Sequence, residues 1–228
     1  MITLGIDSAT KTASVGIVKD DKVIASFTLN HKRTHSEKLL EMVDMALKVS
    51  QLDITDIDAF AVTKGPGSFT GLRIGLATIK GLCHALNKPC YPVSTIDALY
   101  ENVSGLCSDN TIIAPIMDAR RGEVYCGAYS DNKKIIEDSA LNIEEFIKNL
   151  KTFSCEKIIF TGDGVEPNKE IIKNLLCDKC AFAPEHLING SGEAVVFAAL
   201  KSGEAVNYEK LCPEYLRVSQ AERLKKEI

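Results

Sequence analysis

The sequence predicts an α/β protein built from two related domains, each a mixed β-sheet flanked by helices. Apolar strand-like runs alternate with helical patterns along the chain of 228 residues, which is typical of this class. A short pattern also occurs twice. In the first half an apolar strand ends at Asp7 and Gly16 follows nine residues later, and in the second half a strand ends at Asp118 and Gly127 follows at the same distance.

The first half reads as three strands, a helix, a strand, a helix and a further strand. The opening strands are short apolar or β-branched runs, and residues 19–22 supply a polar turn between the second and the third. A capping box, with Thr34 as the N-cap and Glu37 three residues later, begins a helix that ends near Val49. The second helix follows a glycine-rich loop, and Pro89 ends it.

The second half begins in a similar way, so we place the boundary between the halves near residue 104. This assignment gives an N-terminal domain at residues 1–104 and a C-terminal domain at residues 105–228. The predicted elements of the second half are strands at residues 111–117, 123–130 and 157–160 and helices at residues 143–150, 169–176 and 192–201.

Composition and charge exclude several classes of protein. Hydrophobic residues make up 45% and charged residues 25%, as in globular proteins that bury a core. There is no apolar run of 18 residues and the first residues read as a strand instead of a signal peptide, so we expect a cytoplasmic protein without membrane contact. The net charge is −4, which argues against independent binding of nucleic acid. The short basic runs read as solvated surface.

The cysteines and histidines predict no metal site. Most of the eight cysteines stand alone in apolar segments, which indicates buried thiols in a reducing compartment. Cys177 and Cys180 form one CxxC pair, but no second pair supplies the other two zinc ligands. His31 and His35 have the spacing of metal ligands, but the predicted helix begins between them and no third ligand is evident. No nucleophile-elbow pattern for hydrolysis is present.

The most distinctive segment is residues 64–77, in which a glycine-rich loop at residues 65–71 follows a strand and opens a helix. Such a loop can present backbone N–H groups to a phosphate, although it matches neither common nucleotide-binding pattern. Alternatively it is a tight turn whose glycines let strand and helix approach closely. Asp7 and Asp118 could face a metal–phosphate group across a cleft, but no glycine follows Asp7, so tight nucleotide binding by this chain is not expected.

Both long helices of the first half carry more than one apolar stripe. A helix of this kind buries more than one face. The additional stripe is covered either by the chain's own domain or by a partner, in which case it is an exposed apolar patch. Small residues on the second helix, such as Gly75, would let a second helix come close.

Five segments of the chain carry a family resemblance. They are residues 4–8 with 13–15, 34–40, 65–75, 117–125 and 213–217. Together they resemble the TsaB/YeaZ family, a branch of the actin, Hsp70 and sugar-kinase superfamily, in the family's order and over nearly the whole chain. The glycine-rich loop with its helix and the segment that begins with Asp118 are the most specific. One departure is Asp7-Ser8-Ala9, where the family more often has Asp-Thr-Ser, which weakens a phosphate role for this turn.

The resemblance implies two actin-like (ribonuclease-H-like) domains and a non-catalytic subunit that works beside TsaD, the related catalytic subunit, and the ATPase TsaE. That complex uses ATP and transfers a threonylcarbamoyl group to the adenosine 3′ of the tRNA anticodon. This chain would bind and stabilise TsaD, help to recruit TsaE, meet tRNA only through the complex, and form a homodimer when alone. Where the catalytic relative has two metal-binding histidines, this chain has Thr95 and Leu99. The alternatives are an ATP-binding phosphotransferase and an M22-type, glycoprotease-like peptidase.

The resemblance also implies that the first two long helices contact the partner, which agrees with their additional apolar stripes. The assigned interface residues are Leu39, Met42, Val43, Ala46, Gly71, Ile74, Gly75, Thr78 and Leu82. A possible vestigial nucleotide cleft contains Asp7, Ser8, Asp118 and Arg120. No cofactor is expected to bind tightly.

Overall fold

A computed structural model describes residues 1–30 and 35–217, without the side chains of residues 35–37 and 202. The predicted N-cap Thr34 and His31 therefore lie outside the described residues. The first sheet contains β1 (Ile2–Asp7), β2 (Ala13–Lys19), β3 (Lys22–Leu29), β4 (Ala59–Gly65) and β5 (Cys90–Ser94). The second contains β6 (Thr111–Asp118), β7 (Glu123–Ser130), β8 (Lys133–Asn142), β9 (Lys157–Thr161) and β10 (Cys180–Phe182). The helices are α1 (His35–Val49), α2 (Phe69–Leu86), α3 (Thr95–Glu101), α4 (Ile143–Leu150), α5 (Val165–Leu176) and α6 (Gly192–Ser202).

The two sheets have the same topology. Their strand orders are β3-β2-β1-β4-β5 and β8-β7-β6-β9-β10. In each sheet the first three strands in sequence pair antiparallel, and the last two add parallel to the first. The predicted fold class, two related halves that each contain a mixed sheet, is therefore confirmed.

The repeated sequence pattern marks equivalent strands but not equivalent glycines. Asp7 pairs with Ser14, whereas Asp118 pairs with Val124, so the turn of the second half is one residue shorter. Equal sequence spacing therefore places Gly16 and Gly127 at different registers relative to the preceding aspartates.

Helices cover both faces of each sheet. α1 and α2 pack on one face of the first sheet around Leu4, Ile6 and Phe60, and α6 packs on the opposite face. α4 and α5 cover one face of the second sheet around Phe146 and Phe160, and α3 packs on its other face. Burial on both faces explains why the central strands read as continuous apolar runs instead of alternating ones.

One helix of the second half packs on the first. α6 follows the second sheet in sequence but packs on β1 and β2, whereas α3 contacts β4 and β5 of the first sheet as well as β6 and β7 of the second. α3 and α6 also contact each other. A boundary near residue 104 separates the sheets, while the packing of α6 crosses it; the assignment of domains to residues 1–104 and 105–228 stays a prediction.

One helix and two strands, α3, β8 and β10, were not predicted from the sequence. β8 is an edge strand whose residues are mostly half-buried, so it lacks the alternation that marks a strand. α3 has 7 residues and β10 has 3, both too short for a periodic pattern. α5 begins at Val165 instead of residue 169, because Pro167 occupies its first turn, where a missing N–H costs nothing.

Three glycines allow α6 to lie directly on the first sheet. A Cβ on Gly16 would lie 2.3 Å from the backbone N of Glu193, and a Cβ on Gly5 would lie 2.2 Å from the carbonyl O of Gly192. A Cβ on Gly192 would in turn lie 2.2 Å from the backbone N of Gly16. The N–H of Gly192 also donates to the Ser14 Oγ at 2.9 Å. Backbone therefore touches backbone here, and no side chain fits between.

We expect Gly16→Ala to lower the free energy of unfolding by about 2 kcal/mol, because the added methyl group overpacks a backbone contact that has no flexible neighbour. Gly81→Ala is the matched control, since a Cβ there meets no atom within 4 Å. It should raise stability by up to about 1 kcal/mol through helix propensity. Urea unfolding measures both variants; equal midpoints for Gly16→Ala and the unaltered chain would contradict the prediction.

Candidate functional site

Three of the resemblance segments, residues 65–75, 117–125 and 213–217, meet at one place. Residues 213–217, which we call the strap, lie across the glycine-rich loop after β4. The Glu214 N–H donates to the Lys64 carbonyl at 2.8 Å, and the Lys64 Nζ lies 2.6 Å from the Glu214 Oε2. Gly65 has φ of +134°, and a Cβ there would lie 2.1 Å from the Glu214 carbonyl O. Only glycine therefore permits this contact.

An aromatic contact fixes the middle of the strap to α2. The Tyr215 ring stacks on Phe69, with centroids 4.4 Å apart and an angle of 23° between the planes. The Arg73 Nε donates to the Tyr215 hydroxyl at 3.0 Å. The strap is thereby held to the first turn of α2 by a stacked pair and a charge-assisted hydrogen bond.

The end of the strap contacts the second half of the molecule. The Arg217 Nη1 donates to the Ala119 carbonyl at 2.8 Å and lies 2.6 Å from the Glu123 Oε2. The Arg217 side chain is only 13% exposed. Because Ala119 and Glu123 flank the turn between β6 and β7, the strap ties the loop after β4 to that turn.

The turn between β6 and β7 has an unusual backbone. Arg120, Arg121 and Gly122 have φ of 62°, 59° and 77°. A non-glycine residue in this left-handed region costs about 1 kcal/mol or more unless its surroundings hold it there. The Asp118 Oδ1 accepts from the Arg120 N–H at 2.8 Å, and the Glu123 N–H donates to the Arg120 carbonyl at 3.3 Å. Both arginine side chains are exposed.

The turn after β1 is packed inside the protein. Asp7 is 1% exposed, and its Oδ1 accepts from the Ala9 N–H and from the Thr63 Oγ1, both at 3.0 Å. A Cβ on Gly190 would lie 2.1 Å from the Asp7 Oδ2, so backbone lies directly against this oxygen. Ser8 is fully buried, and its Oγ donates to the Gly71 carbonyl at 2.9 Å.

The glycine-rich loop directs its hydrogen bonds into the protein. The Ser68 N–H donates to the Ala9 carbonyl at 2.7 Å, and the Ser68 Oγ accepts from the Gly71 N–H at 3.3 Å as the N-cap of α2. These contacts favour the tight-turn alternative over a phosphate cradle, since a cradle requires N–H groups that point to a ligand.

The two aspartates of the predicted cleft have different surroundings. Asp7 is buried, whereas Asp118 and Arg120 are exposed. Asp163 lies behind Asp118 and accepts from its N–H at 3.1 Å. Burial raises the pKa of Asp163, and the hydrogen bond from Asp118 and the charge of Lys11 oppose that rise only in part.

The nine predicted interface residues divide into two groups. Six are buried within the chain, and three are half-buried on α2. The buried six are Leu39, Met42, Val43, Ala46, Gly71 and Gly75, and the half-buried three are Ile74, Thr78 and Leu82. The close approach at Gly75 is made within the chain, since a Cβ there would lie 2.3 Å from the Ser8 Oγ. The interface assignment itself stays a prediction.

Four further residues of α1 and α2 are exposed. Leu40, Met45 and Val49 on α1 are 58%, 51% and 61% exposed. On the adjacent α2, Gly81 is exposed and has open space where its side chain would be. Met45 and Val49 share one side of α1, and the exposed charged side chains at positions 41, 44 and 48 separate them from Leu40. None of these four residues was assigned to the interface from the sequence.

A buried polar network joins α3 to the second sheet. The Lys134 Nζ lies 2.6 Å from the Asp97 Oδ1 and 2.8 Å from the Asp138 Oδ1. Tyr129 donates to Asp97, and Ser94, the N-cap of α3, donates to Asp138. Burial raises the pKa of Tyr129 and that of Asp138. The network has no signal in sequence, because its members are separated by up to 44 residues.

The other positions considered in the sequence analysis are Thr95, Leu99 and the pair Cys177 and Cys180. Thr95 and Leu99 are fully buried in α3. The Cys180 Sγ donates to the Cys177 carbonyl at 3.2 Å. Across residues 1–30 and 38–217, no three His, Cys, Asp or Glu side chains are grouped to hold a metal ion. Within the same part of the chain, no helix combines the length and apolar character that a membrane crossing requires.

Comparisons with known proteins identify relatives over nearly the whole chain. A family model described as TsaD, tRNA N6-adenosine threonylcarbamoyltransferase, matches residues 22–224. The tRNA threonylcarbamoyladenosine biosynthesis protein TsaB of Bacillus subtilis (strain 168) is 31% identical over 226 residues, covering 97% of this chain and 96% of the relative.

Solved structures show the same fold. YeaZ from Pseudomonas aeruginosa superimposes with a TM-score of 0.75 at 24% identity, covering 94% of this chain and 99% of that chain. An inorganic polyphosphate/ATP-glucomannokinase from Arthrobacter sp. strain KM has a TM-score of 0.52 at 16% identity, covering 88% and 99%. The second match concerns the fold alone, and it places the two halves in the class of actin-like and sugar-kinase folds.

We expect Asp163→Asn to stabilise the protein at neutral pH. Because the folded state raises the pKa of Asp163, this group favours folding below the pKa of an unfolded carboxyl, about 4, and that contribution is lost as pH rises through the folded pKa. The amide oxygen can still accept from Asp118. Urea midpoints at pH 7 and below pH 4 measure the effect.

The gain should be present at pH 7 and absent at the lower pH. Asp44→Asn is the control. Asp44 is exposed on α1, so this substitution removes the same charge from a carboxyl group that is not buried. An equal gain in both variants would mean that net charge, not burial, is responsible.

Proposed function

Since the chain belongs to the TsaB (YeaZ) family, we propose that it acts in the biosynthesis of threonylcarbamoyladenosine in tRNA as a non-catalytic subunit. It binds and stabilises a TsaD-type catalytic partner, helps to recruit TsaE, and meets tRNA through that complex. ATP is used by the complex, and this chain binds no cofactor tightly. The complex works in the cytoplasm.

The observation that carries this proposal is a stripe of half-buried and small residues along α2. Ile74, Thr78 and Leu82 are half-buried, and Gly81 lies on the same face of the helix with open space above it. On α1, Met45 and Val49 are neighbours on one face and are each more than half exposed, and apolar side chains exposed together mark an interface. Ile74, Thr78 and Leu82 are therefore the three of the nine assigned residues that remain candidates for direct contact.

The buried members of the assigned set support the interface indirectly. Leu39, Val43 and Ala46 fix α1 onto the first sheet, and Gly71 and Gly75 fix α2 against Ser8. A rigid pair of helices loses little conformational entropy when a partner binds, which favours tight association. The same face serves for the homodimer when the partner is absent, because two copies can cover each other's apolar residues.

The packing around Asp7 supports a subunit without its own phosphoryl-transfer chemistry. The Asp7 carboxylate is surrounded by the backbone of Gly190 and by hydrogen bonds from Ala9 and Thr63. A nucleotide phosphate with its metal ion needs an open carboxylate and free N–H groups at the turn. The same packing counts against the alternative of an ATP-binding phosphotransferase. A metallopeptidase needs a histidine pair, and Thr95 and Leu99 supply none.

Reconstitution tests the function as a whole. A TsaD protein, a TsaE protein, an enzyme that supplies threonylcarbamoyl-AMP, ATP and tRNA are combined with and without this chain, and modified adenosine is measured. Formation of the modified base should depend on the chain, and the chain alone should neither hydrolyse ATP nor modify tRNA. Equal modification without the chain would overturn the proposal, and ATP hydrolysis by the chain alone would favour the phosphotransferase.

A pair of glycine variants tests the interface. Gly81→Arg places a long cation on the exposed face of α2, where no atom lies within 4 Å of the new Cβ. Gly105→Arg is the matched control, because Gly105 also has open space but lies in the short 3₁₀ helix Ser104–Leu106. Gly81→Arg should fold normally and lose at least tenfold in affinity for TsaD, while Gly105→Arg should bind as before. Unchanged co-purification of Gly81→Arg would refute this face as the interface.

A further inference from the structure

We propose that the surface around the strap contacts unpaired nucleotides of an RNA strand. This strap surface consists of Arg73, Arg120, Arg121 and Tyr215, together with the backbone that holds them. The proposal rests on the proposed function, since it names the residues through which this chain would meet the RNA of the complex. Guanidinium groups bind phosphates, and an exposed aromatic ring stacks on a base.

The charges at the strap surface are unbalanced toward positive. Glu214 pairs with Lys64 at 2.6 Å, and Glu123 pairs with Arg217 at 2.6 Å. Both acids are therefore neutralised by residues outside the proposed contact set.

The arginines of the surface lack such partners. Within the described residues, no ion pair is formed by Arg73, Arg120 or Arg121. Asp118 accepts from the Arg120 backbone N–H and keeps its negative charge at this turn, so three arginines stand against this one carboxylate. The chain as a whole is acidic, with a net charge of −4, whereas the strap surface carries more positive than negative charge.

An aromatic side chain lies beside Arg73, two residues before the Arg217 that holds the turn with Arg120 and Arg121. Tyr215 is 36% exposed although one face of its ring is stacked on Phe69. Arg73 uses one N–H, on the Tyr215 hydroxyl, and a guanidinium has five donors. The remaining donors can bind a phosphate while the exposed part of the Tyr215 ring meets a base. This combination of guanidinium and aromatic groups suits single-stranded RNA better than a duplex, whose bases are already stacked.

The backbone of the turn between β6 and β7 is fixed before any ligand arrives. Three consecutive residues, Arg120 to Gly122, have positive φ. Arg217 holds the turn from behind through the Ala119 carbonyl and Glu123. A loop held in a costly conformation indicates a functional requirement, and a preorganised loop loses less entropy when it binds. The position of two exposed arginines at the tip of such a turn is explained by an anionic strand that binds across it.

The strap surface is small, so RNA affinity should appear in the assembled complex. Three arginines neutralise few phosphates, and the affinity of a protein for RNA grows with the number it neutralises. Weak binding by the isolated chain is therefore compatible with its acidic composition. Binding to the complex is measured by fluorescence anisotropy of labelled tRNA at several salt concentrations, with unlabelled duplex RNA as a competitor.

The decisive variant is Arg120→Glu with Arg121→Glu, assembled with TsaD and TsaE. The matched control is Lys148→Glu with Lys151→Glu, which makes the same charge change at two exposed lysines at the end of α4 and just beyond it. The arginine variant should bind tRNA at least tenfold more weakly, with a salt dependence lower by about two phosphate contacts. The control should stay within twofold of the unaltered complex.

Each outcome separates this inference from the proposed function. Co-purification with TsaD is scored on the same preparations: assembly with reduced RNA affinity supports the inference, and assembly with unchanged affinity overturns it. Loss of assembly with retained RNA affinity would mean that the surface binds a protein, which also overturns it. Failure of the unaltered chain to assemble would instead refute the proposed function.

A second measurement avoids dependence on any variant. RNA carrying 4-thiouridine in an unpaired loop is photocrosslinked to the unaltered complex, and the modified peptides are identified by mass spectrometry. Crosslinks should fall within residues 118–125 or 213–217. Crosslinks confined to other parts of this chain, or to the partners, would overturn the inference.

Discussion

The contact of α6 with β1 and β2 is the constraint on which the rest of the structure depends. Gly5, Gly16 and Gly192 bring the backbone of the helix directly onto the sheet. The residues before α6 are thereby carried over the end of β1, where Gly190 lies against Asp7. The residues after α6 continue along the first sheet, where Val206 pairs with Cys90 and Leu211 enters the core. The strap follows at once, so its position is set by the same helix.

Two consequences of this packing bear on function. The end of β1 is packed against the chain itself, because Asp7 lies against Gly190 and accepts hydrogen bonds from Ala9 and Thr63. The strap then fixes the turn between β6 and β7 to the loop after β4, and the Lys134 network fixes α3 to the second sheet. These two sets of contacts hold the turn between β6 and β7, and α3, in fixed positions within the molecule.

Periodicity and spacing predicted the fold class well, because local apolar patterns decide where the central strands and the longer helices form. The sites depend on contacts that no local pattern records. Lys64 and Glu214, or Phe69 and Tyr215, are about 150 residues apart in sequence, and nothing near either residue indicates its partner. Gly75 is a case in which the sequence does contain a local signal, but the signal does not identify the contact. A small residue on a helix indicates that something approaches closely, but the sequence does not say whether that is a partner helix or, as the structure shows, Ser8 of the same chain.

The packing of α6 on the first sheet constrains the order of events during synthesis on the ribosome. β1 and β2 are complete by residue 19, yet the helix that covers one of their faces begins at Gly192. At roughly 5–20 residues per second of translation, that apolar face remains uncovered for about 9–35 s. The nascent chain therefore cannot cover this face of its first sheet until α6 has left the exit tunnel. A chaperone that shields this face during that interval would protect the chain from aggregation.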